Sequence, residues 1–337
     1  MSAKTIWIII ALLILFPQFY YFKITKDFEG VKNTRKYFIR NKRNFDDHQE
    51  LYLTNYDGHD IFLRLYEVAD PKAIVHIIHG MAEHSYNYID FIKYLNANGF
   101  TVIAHDHRGH GKSISEKYPT GYMRLTEEVI DDVYAVNSFA RETHLGLEVY
   151  MLGHSMGSMI SRLYLQKYDD TIDKLVLTGT VEHSKVAGFG LFLGNIITFY
   201  FNKYQPAILS PLLPGLKGDD TWISYNMDNV IDKRNDKQRV QTFLERGVVA
   251  IIDMNNKMSK VRRYMVKNPD LPILSATGAD DIVTGSDKGL EDSINTLKKA
   301  GYTNIDNIVY DHMRHEILNE EDRSIVYEDI LEFFNIW

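Results

Sequence analysis

From residue 73 onward the chain repeats one pattern: a short aliphatic, β-branched run followed by a longer stretch with helical spacing. The runs are AIVHIIHG at 73–80, TVIAHDH at 101–107, VYMLG at 149–153, KLVLTGT at 174–180, PILSATGAD at 272–280 and NIDNIVYD at 304–311. Between them YIDFIKYLNANGF, TEEVIDDVYAVNSFARETH at 126–144 and GSMISRLYLQKY read as helices, and a last helix is predicted near 323–337. Upstream, ELYLTNYDGHDIFLRLYEV holds two alternating runs joined through Asp57-Gly58, a hairpin signal. Eight strands result. Continuously apolar strands alternating with helices require a mostly parallel sheet covered on both faces. Functional sites of such sheets form at the C-terminal ends of the strands.

Two segments stand outside the pattern. Residues 182–250 show no strand and include VAGFGLFLGNIITFYF at 186–201 and then PAILSPLLPGL. They read as a helical insertion between two strands, either a cap with its own core or one whose apolar face admits lipid chains or touches a membrane. Residues 5–22, TIWIIIALLILFPQFYYF, carry no charge. Eighteen residues of helix span roughly 27 Å, close to a bilayer's hydrocarbon thickness. Phe19, Tyr20, Tyr21 and Phe22 suit a membrane interface. Bulky aromatics stand where a signal peptide would have a small-residue cleavage site, so an uncleaved anchor over 1–22 is expected rather than a cleaved leader. Lys23, Lys26, Lys32, Arg35, Lys36, Arg40, Lys42 and Arg43 follow it, whereas only Lys4 and the α-amine precede it. That asymmetry places the following domain on the cytoplasmic side. Residues 23–45 read as a basic linker, solvated or lying along anionic headgroups, and 46–337 as the folded domain.

Composition excludes some chemistries. The chain has 337 residues, enough for one large α/β domain, and a net charge of −7, which gives no reason to expect nucleic acid binding. It has no cysteine, so disulfides, thiolate metal sites and a cysteine nucleophile are ruled out.

GHSMGS at 153–158 matches G-x-S-x-G. The match alone is weak, but Ser155 follows a predicted strand and opens a predicted helix, the setting of a nucleophile elbow. Glycines at 153 and 157 relieve a sharp turn, and the helix N-terminus offers unpaired N–H groups to a developing oxyanion. A serine hydroxyl needs a base, and the base an orienting acid, following in the order serine, acid, histidine. Only His312 and His315, in YDHMRHEILNE, lie more than fifty residues beyond Ser155. Asp280 and Asp281 end another strand, in TGADDIV. HGMAEHS follows the first parallel strand, so Met81 and Met156 are the expected backbone N–H donors of an oxyanion hole.

These residues carry a family resemblance. HGMAEHSYNY at 79–88, HDHRGHGKS at 105–113, GHSMGS, GADDIV at 278–283 and RHEILNE at 314–320 together resemble the monoacylglycerol lipase and lysophospholipase group of α/β-hydrolases, catalogued beside serine aminopeptidases. The motifs span 75–320. The resemblance implies an α/β-hydrolase fold with an eight-stranded sheet, Ser155 as nucleophile, His315 rather than His312 as base, and Asp280 rather than Asp281 as acid, through a D-x-x-V pattern ending at Val283. It makes 182–250 a lid over an acyl-chain pocket. The implied activity is hydrolysis of single-acyl-chain lipid esters, with no metal or organic cofactor. A serine aminopeptidase, an acyltransferase and a non-catalytic lipid-binding relative are the alternatives.

Two further motifs are set aside. HDHRGH groups His105, His107 and His110, but no carboxylate follows at the spacing of a hydrolytic zinc site. GHGKS imitates the end of a phosphate-binding loop, but the first glycine of that motif would fall at Asp106, whose charge repels phosphate.

Overall fold

The computed structural model of the chain describes residues 2–30, 37–213 and 220–336. Lys32, Arg35 and Lys36 of the expected linker, and 214–219 of the insertion, lie outside the described residues. Nine strands form one sheet: β1 (Phe38–Asn44), β2 (Gln49–Thr54), β3 (Asp60–Tyr66), β4 (Ile74–Ile78), β5 (Thr101–His105), β6 (Val149–His154), β7 (Lys174–Thr178), β8 (Ile273–Gly278) and β9 (Ile305–Tyr310). Their order is β1-β2-β3-β5-β4-β6-β7-β8-β9. The first three strands and the β3–β5 pair are antiparallel; β5, β4 and β6–β9 run parallel.

The ninth strand corrects the expected eight, and with it the linker. FIRNKRN of β1 is exposed along its whole length and has no apolar alternation. Its backbone pairs with β2 across a bulge between Ile39 and Asn41. Arg40, Lys42 and Arg43, among the residues that suggested a linker, make this a charged sheet edge, which resists pairing with other chains.

Side-chain alternation along the parallel strands divides the core. Met151, Leu175, Leu177 and Ile273 face one layer with α3 (Thr126–Thr143), α4 (Met156–Tyr168) and α7 (Glu245–Met258). Tyr150, Leu152, Val176 and Leu274 face the other, with α2 (Ile89–Ala97) and α9 (Arg323–Asn335). Between β8 and β9 runs α8 (Ser286–Ala300).

The insertion after β7 contains α5 (Ala187–Tyr200) and α6 (Met227–Asn235), and its expected end at residue 250 falls inside α7. Gly194 of α5 meets the side chain of Val249 on α7, where a Cβ would collide.

The N-terminal helix α1 (Ala3–Gly30) continues past residue 22 through Lys23 and Lys26. One side of it packs on α5. Gln18 Nε2 donates to Phe192 O (2.9 Å), Asn195 Nδ2 donates to Gln18 Oε1 (3.0 Å), and Arg246 Nη1 donates to Asn195 Oδ1 (3.0 Å). The Arg246 guanidinium lies 4.0 Å over the Tyr21 ring, and Phe16 and Tyr20 meet Phe199 edge-on. Trp7, Leu12, Leu15, Phe19 and Phe22 are exposed. Near the helix end, Glu29 pairs with Lys167 at 3.2 Å and Arg263 at 3.5 Å.

Candidate active site

The turn after β6 is held by contacts that only glycine allows. A Cβ on Gly157 would collide with the carbonyl oxygen of Ile78, and one on Gly153 with Ser161 Oγ and Gly157 O. With those side chains absent, α4 starts directly against β4. Ser155 sits between strand and helix at φ 54°, ψ −117°. Such backbone costs about 1–3 kcal/mol and persists only where the surroundings over-determine it. Here Ser155 N donates to Thr178 O (2.9 Å), and Ser155 O accepts from Ser158 N (2.8 Å).

Ser155 Oγ lies 2.8 Å from His315 Nε2, and His315 Nδ1 lies 2.9 Å from Asp281 Oδ2. His315 and Asp281 are buried. Burial alone would lower the His315 pKa, but the Asp281 carboxylate overrides it and holds the imidazole above its ordinary value. Asp281 answers consistently. Burial favours its neutral form, yet the His315 charge, together with hydrogen bonds from Val283 N (2.8 Å) and Thr284 Oγ1 (2.9 Å), lowers its pKa.

The structure thus brings Asp281, and not the expected Asp280, to His315. Asp280 is exposed and accepts a hydrogen bond from Tyr225 Oη at 3.0 Å. The reason is the turn after β8. Asp280 N donates to Met313 O and Asp281 N to Gly278 O, which turns residue 281 inward and leaves 280 outside. His312 is also exposed, with φ 55°, so His315 is the histidine that reaches Ser155.

Met81 and Met156 line the same cavity as Ser155. Met156 is the first residue of α4, so its N–H has no acceptor within the helix. A Cβ on Gly80 would stand 3.1 Å from Ser155 Cβ, which shows how closely the β4 loop approaches the serine.

The cavity has a volume of about 350 Å³ and runs from Ser155 beneath α5 and α7, past Met159, Val181, Ala187, Ile251 and Ile252. Glu182, Ser184 and Asn255 supply the polar part of its lining. Trp222, from the insertion, lies over His315 with ring centroids 5.1 Å apart.

Sequence reasoning missed a buried charged cluster beside the serine. Lys233 of α6 pairs with Glu83 and, at 3.1 Å, with Glu316. Glu83, His154 and Glu316 are the one group with ligand atoms spaced for a metal among the described residues. The Lys233 ammonium is already the cationic partner of both carboxylates. His154, 4.8 Å from the His315 ring, is kept neutral by burial, which lowers its pKa to about 3. Glu83 belongs to HGMAEHS and Glu316 adjoins His315, so their positions carried a signal. Lys233 sits in MDNVIDKRN, which reads as a solvated helix.

The histidines of HDHRGH do not converge on one point. His105 Nδ1 bonds His76 Nε2 (2.9 Å), His107 N donates to His79 Nε2 (2.9 Å), and His110 Nδ1 bonds Arg108 O (3.2 Å). Asp106 ties the loop together through Ser85 N and Lys112 N, and Arg108 binds Asp132 through two 2.6 Å bonds.

A serine–histidine–aspartate arrangement at the C-terminal ends of β6, β8 and β9, on a mostly parallel sheet with helices on both faces, defines an α/β-hydrolase. Residues 69–322 match the family model described as serine aminopeptidase, S33 (Hydrolase_4), and the chain belongs to that family. It is 28% identical to the monoglyceride lipase of Homo sapiens over 296 residues, covering 85% of this chain and 89% of that protein. A monoacylglycerol lipase of Mycolicibacterium smegmatis is 25% identical over 77% of this chain and 87% of its own length. Among solved structures, a thermostable carboxyl esterase from Bacillus coagulans superposes with a TM-score of 0.76 at 28% identity, over 86% of this chain and 99% of that one. The chain is a carboxylic ester hydrolase.

Proposed function

We propose that the enzyme hydrolyses esters of single-acyl-chain lipids, monoacylglycerol or lysophospholipid, through Ser155, His315 and Asp281. The observation that carries this reading is a serine hydroxyl 2.8 Å from an aspartate-held histidine, opening into a largely apolar cavity. The acyl chain occupies the cavity beneath α5 and α7, with the ester carbonyl at Ser155 Oγ. His315 Nε2 takes the serine proton as Oγ attacks, and Asp281 stabilises the imidazolium at Nδ1. The N–H groups of Met81 and Met156 receive the oxyanion. His315 returns the proton to the leaving alcohol, and an acyl-enzyme remains. Water, activated by His315, then releases the fatty acid and restores the serine. No step calls for a metal or an organic cofactor.

The same reading makes α1 a single membrane anchor. It is long and apolar enough to cross a bilayer, its outer side is exposed, and the basic residues after it favour a cytoplasmic catalytic domain. Substrate then reaches the cavity from a lipid surface.

The test combines substrate profiling with labelling. A fluorophosphonate probe is expected to modify Ser155 in the wild type and not in Ser155→Ala, whose turnover falls by at least about 10⁴-fold. Long-chain monoacylglycerol or lysophospholipid is expected to be cleaved in preference to aminoacyl anilides. Ester cleavage retained by Ser155→Ala, or a preference for the anilides, defeats the proposal.

A further inference from the structure

Lys233 is nearly fully buried, which is unusual for a lysine and costly unless its charge is paired. It reaches the sheet from α6, inside the insertion. Its ammonium contacts two carboxylates that belong to two different parts of the site. The first, Glu83, lies two residues after Met81. Its Oε2 accepts from Gly80 N (2.9 Å) and Tyr88 Oη (2.7 Å), so it fixes the backbone next to Ser155. The second, Glu316, follows His315 directly. Its Oε2 accepts from Asn229 Nδ2 of α6 and from Asn319 Nδ2, both at 2.9 Å, and Glu316 N donates to Ile223 O (2.8 Å).

The rest of the insertion grips one loop or the other. Ser224 Oγ donates to Glu320 beside the histidine loop (2.7 Å), and His84 bonds Asp236 beside the oxyanion loop (2.7 Å). Among the described residues, Lys233 is the side chain paired with both Glu83 and Glu316. His154 packs against these carboxylates and the His315 ring, and Arg239 shares the small cavity they line with Ser155.

We propose that Lys233 is a positioning residue: it bridges the loop carrying Met81 to the loop carrying His315, so that the closed insertion sets the distance between oxyanion donor and base. The inference rests on the serine-hydrolase reading above and names a part that reading does not use. Each loop is anchored to the sheet by its own strand, β4 for one and β9 for the other, and these strands are not neighbours. A shared ammonium couples them across that gap. Misplacement of about 1 Å in such a site costs on the order of 10²-fold in rate.

The test uses the full-length chain and a short soluble ester, p-nitrophenyl butyrate, which needs little of the acyl cavity. Lys233→Met is expected to lower kcat by about 10–100-fold with KM changed less than threefold, and Lys233→Arg to retain most of the activity. The double variant Lys233→Met/Glu83→Gln removes one of the carboxylates that lose their partner. It is expected to regain thermal stability over the single variant while kcat stays low, because the bridge is still absent. A lysine that merely neutralises buried charge would give recovery of stability and kcat together, and that result overturns the proposal. So does an unchanged kcat in Lys233→Met. If the single variant fails to fold, the double variant carries the comparison with wild type. Fluorophosphonate labelling of Ser155, slowed but present in these variants, separates this outcome from failure of the serine-hydrolase reading, in which the wild type itself is not labelled.

Discussion

Asparagine at position 281 removes a charge but little volume, and asparagine at position 280 does the same one residue away. In the structure the two changes have very different consequences. Asp281 Oδ2 is 2.9 Å from His315 Nδ1, inside a buried pocket. With charge centres about 4 Å apart and an effective dielectric near 20, the pair is worth about 4 kcal/mol when the imidazole is protonated. That energy acts in the transition state, where His315 holds the serine proton, and corresponds to about three decades in rate. Asparagine adds a second loss. Its amide N–H favours the tautomer with the proton on Nε2, which cannot accept from Ser155, and equivalent replacements in serine proteases cost about 10⁴. Asp281→Asn is therefore expected to lower kcat by about 10³–10⁴ with little change in KM. Asp280→Asn loses only an exposed contact to the Tyr225 hydroxyl and should stay within about twofold of wild type. Steady-state hydrolysis of p-nitrophenyl butyrate measures both, with circular dichroism confirming that each variant is folded. In wild type the acid limb of kcat/KM should lie above pH 6.5, because Asp281 raises His315; in Asp281→Asn it should move down. Equal losses in the two variants, or a larger loss at 280, would falsify the assignment of the acid.

Acid should destabilise the fold through its buried histidines. Burial lowers His76 and His154 to about 3 and His110 to about 4, so below pH 6.5 the unfolded chain binds protons that the folded one does not. Stability is then lost as pH falls from 6.5 toward those values, by about 2 kcal/mol per histidine at pH 5. Thermal denaturation between pH 7.5 and 5 checks this, and a flat Tm contradicts it. Arg108→Met leaves Asp132 in the core without its cationic partner, while Glu128 keeps Arg124, and should cost about 3–5 kcal/mol in urea denaturation; a loss under about 1 kcal/mol would show that the network relaxes.

Strands β4–β8 were legible because each is buried on both faces and so reads as a short apolar, β-branched run, whereas β9 at the sheet edge is largely exposed and shows only its Ile308-Val309-Tyr310 stretch. β1 was not legible, since its pairing is a property of the backbone and FIRNKRN has no apolar face to betray it. Ser155 was legible from the strand–turn–helix setting of GHSMGS, and residue type and order narrowed the histidine to His312 or His315, with His315 chosen only through the family resemblance. The choice between two adjacent aspartates was not legible. It depends on which backbone N–H groups are taken by Gly278 and Met313 at the turn, and a D-x-x-V spacing carries no information about that. Lys233 shows a different limit. Nothing in a polar nine-residue helix marks one lysine as buried, because its partners lie about 80 residues downstream and 150 upstream.

The docking of α1 bears on how this enzyme is prepared. A chain shortened to begin near residue 37 would shed its long apolar helix and look more tractable in solution. Yet the cut also strips Gln18 from Asn195, Tyr21 from Arg246, and Phe16 and Tyr20 from Phe199. The outer side of α5 would then face water with two polar groups seeking new partners, while its inner side still forms the cavity wall at Ala187 and Gly190. Detergent or a lipid nanodisc around the intact chain preserves that wall, whereas truncation alters the surface against which it was built.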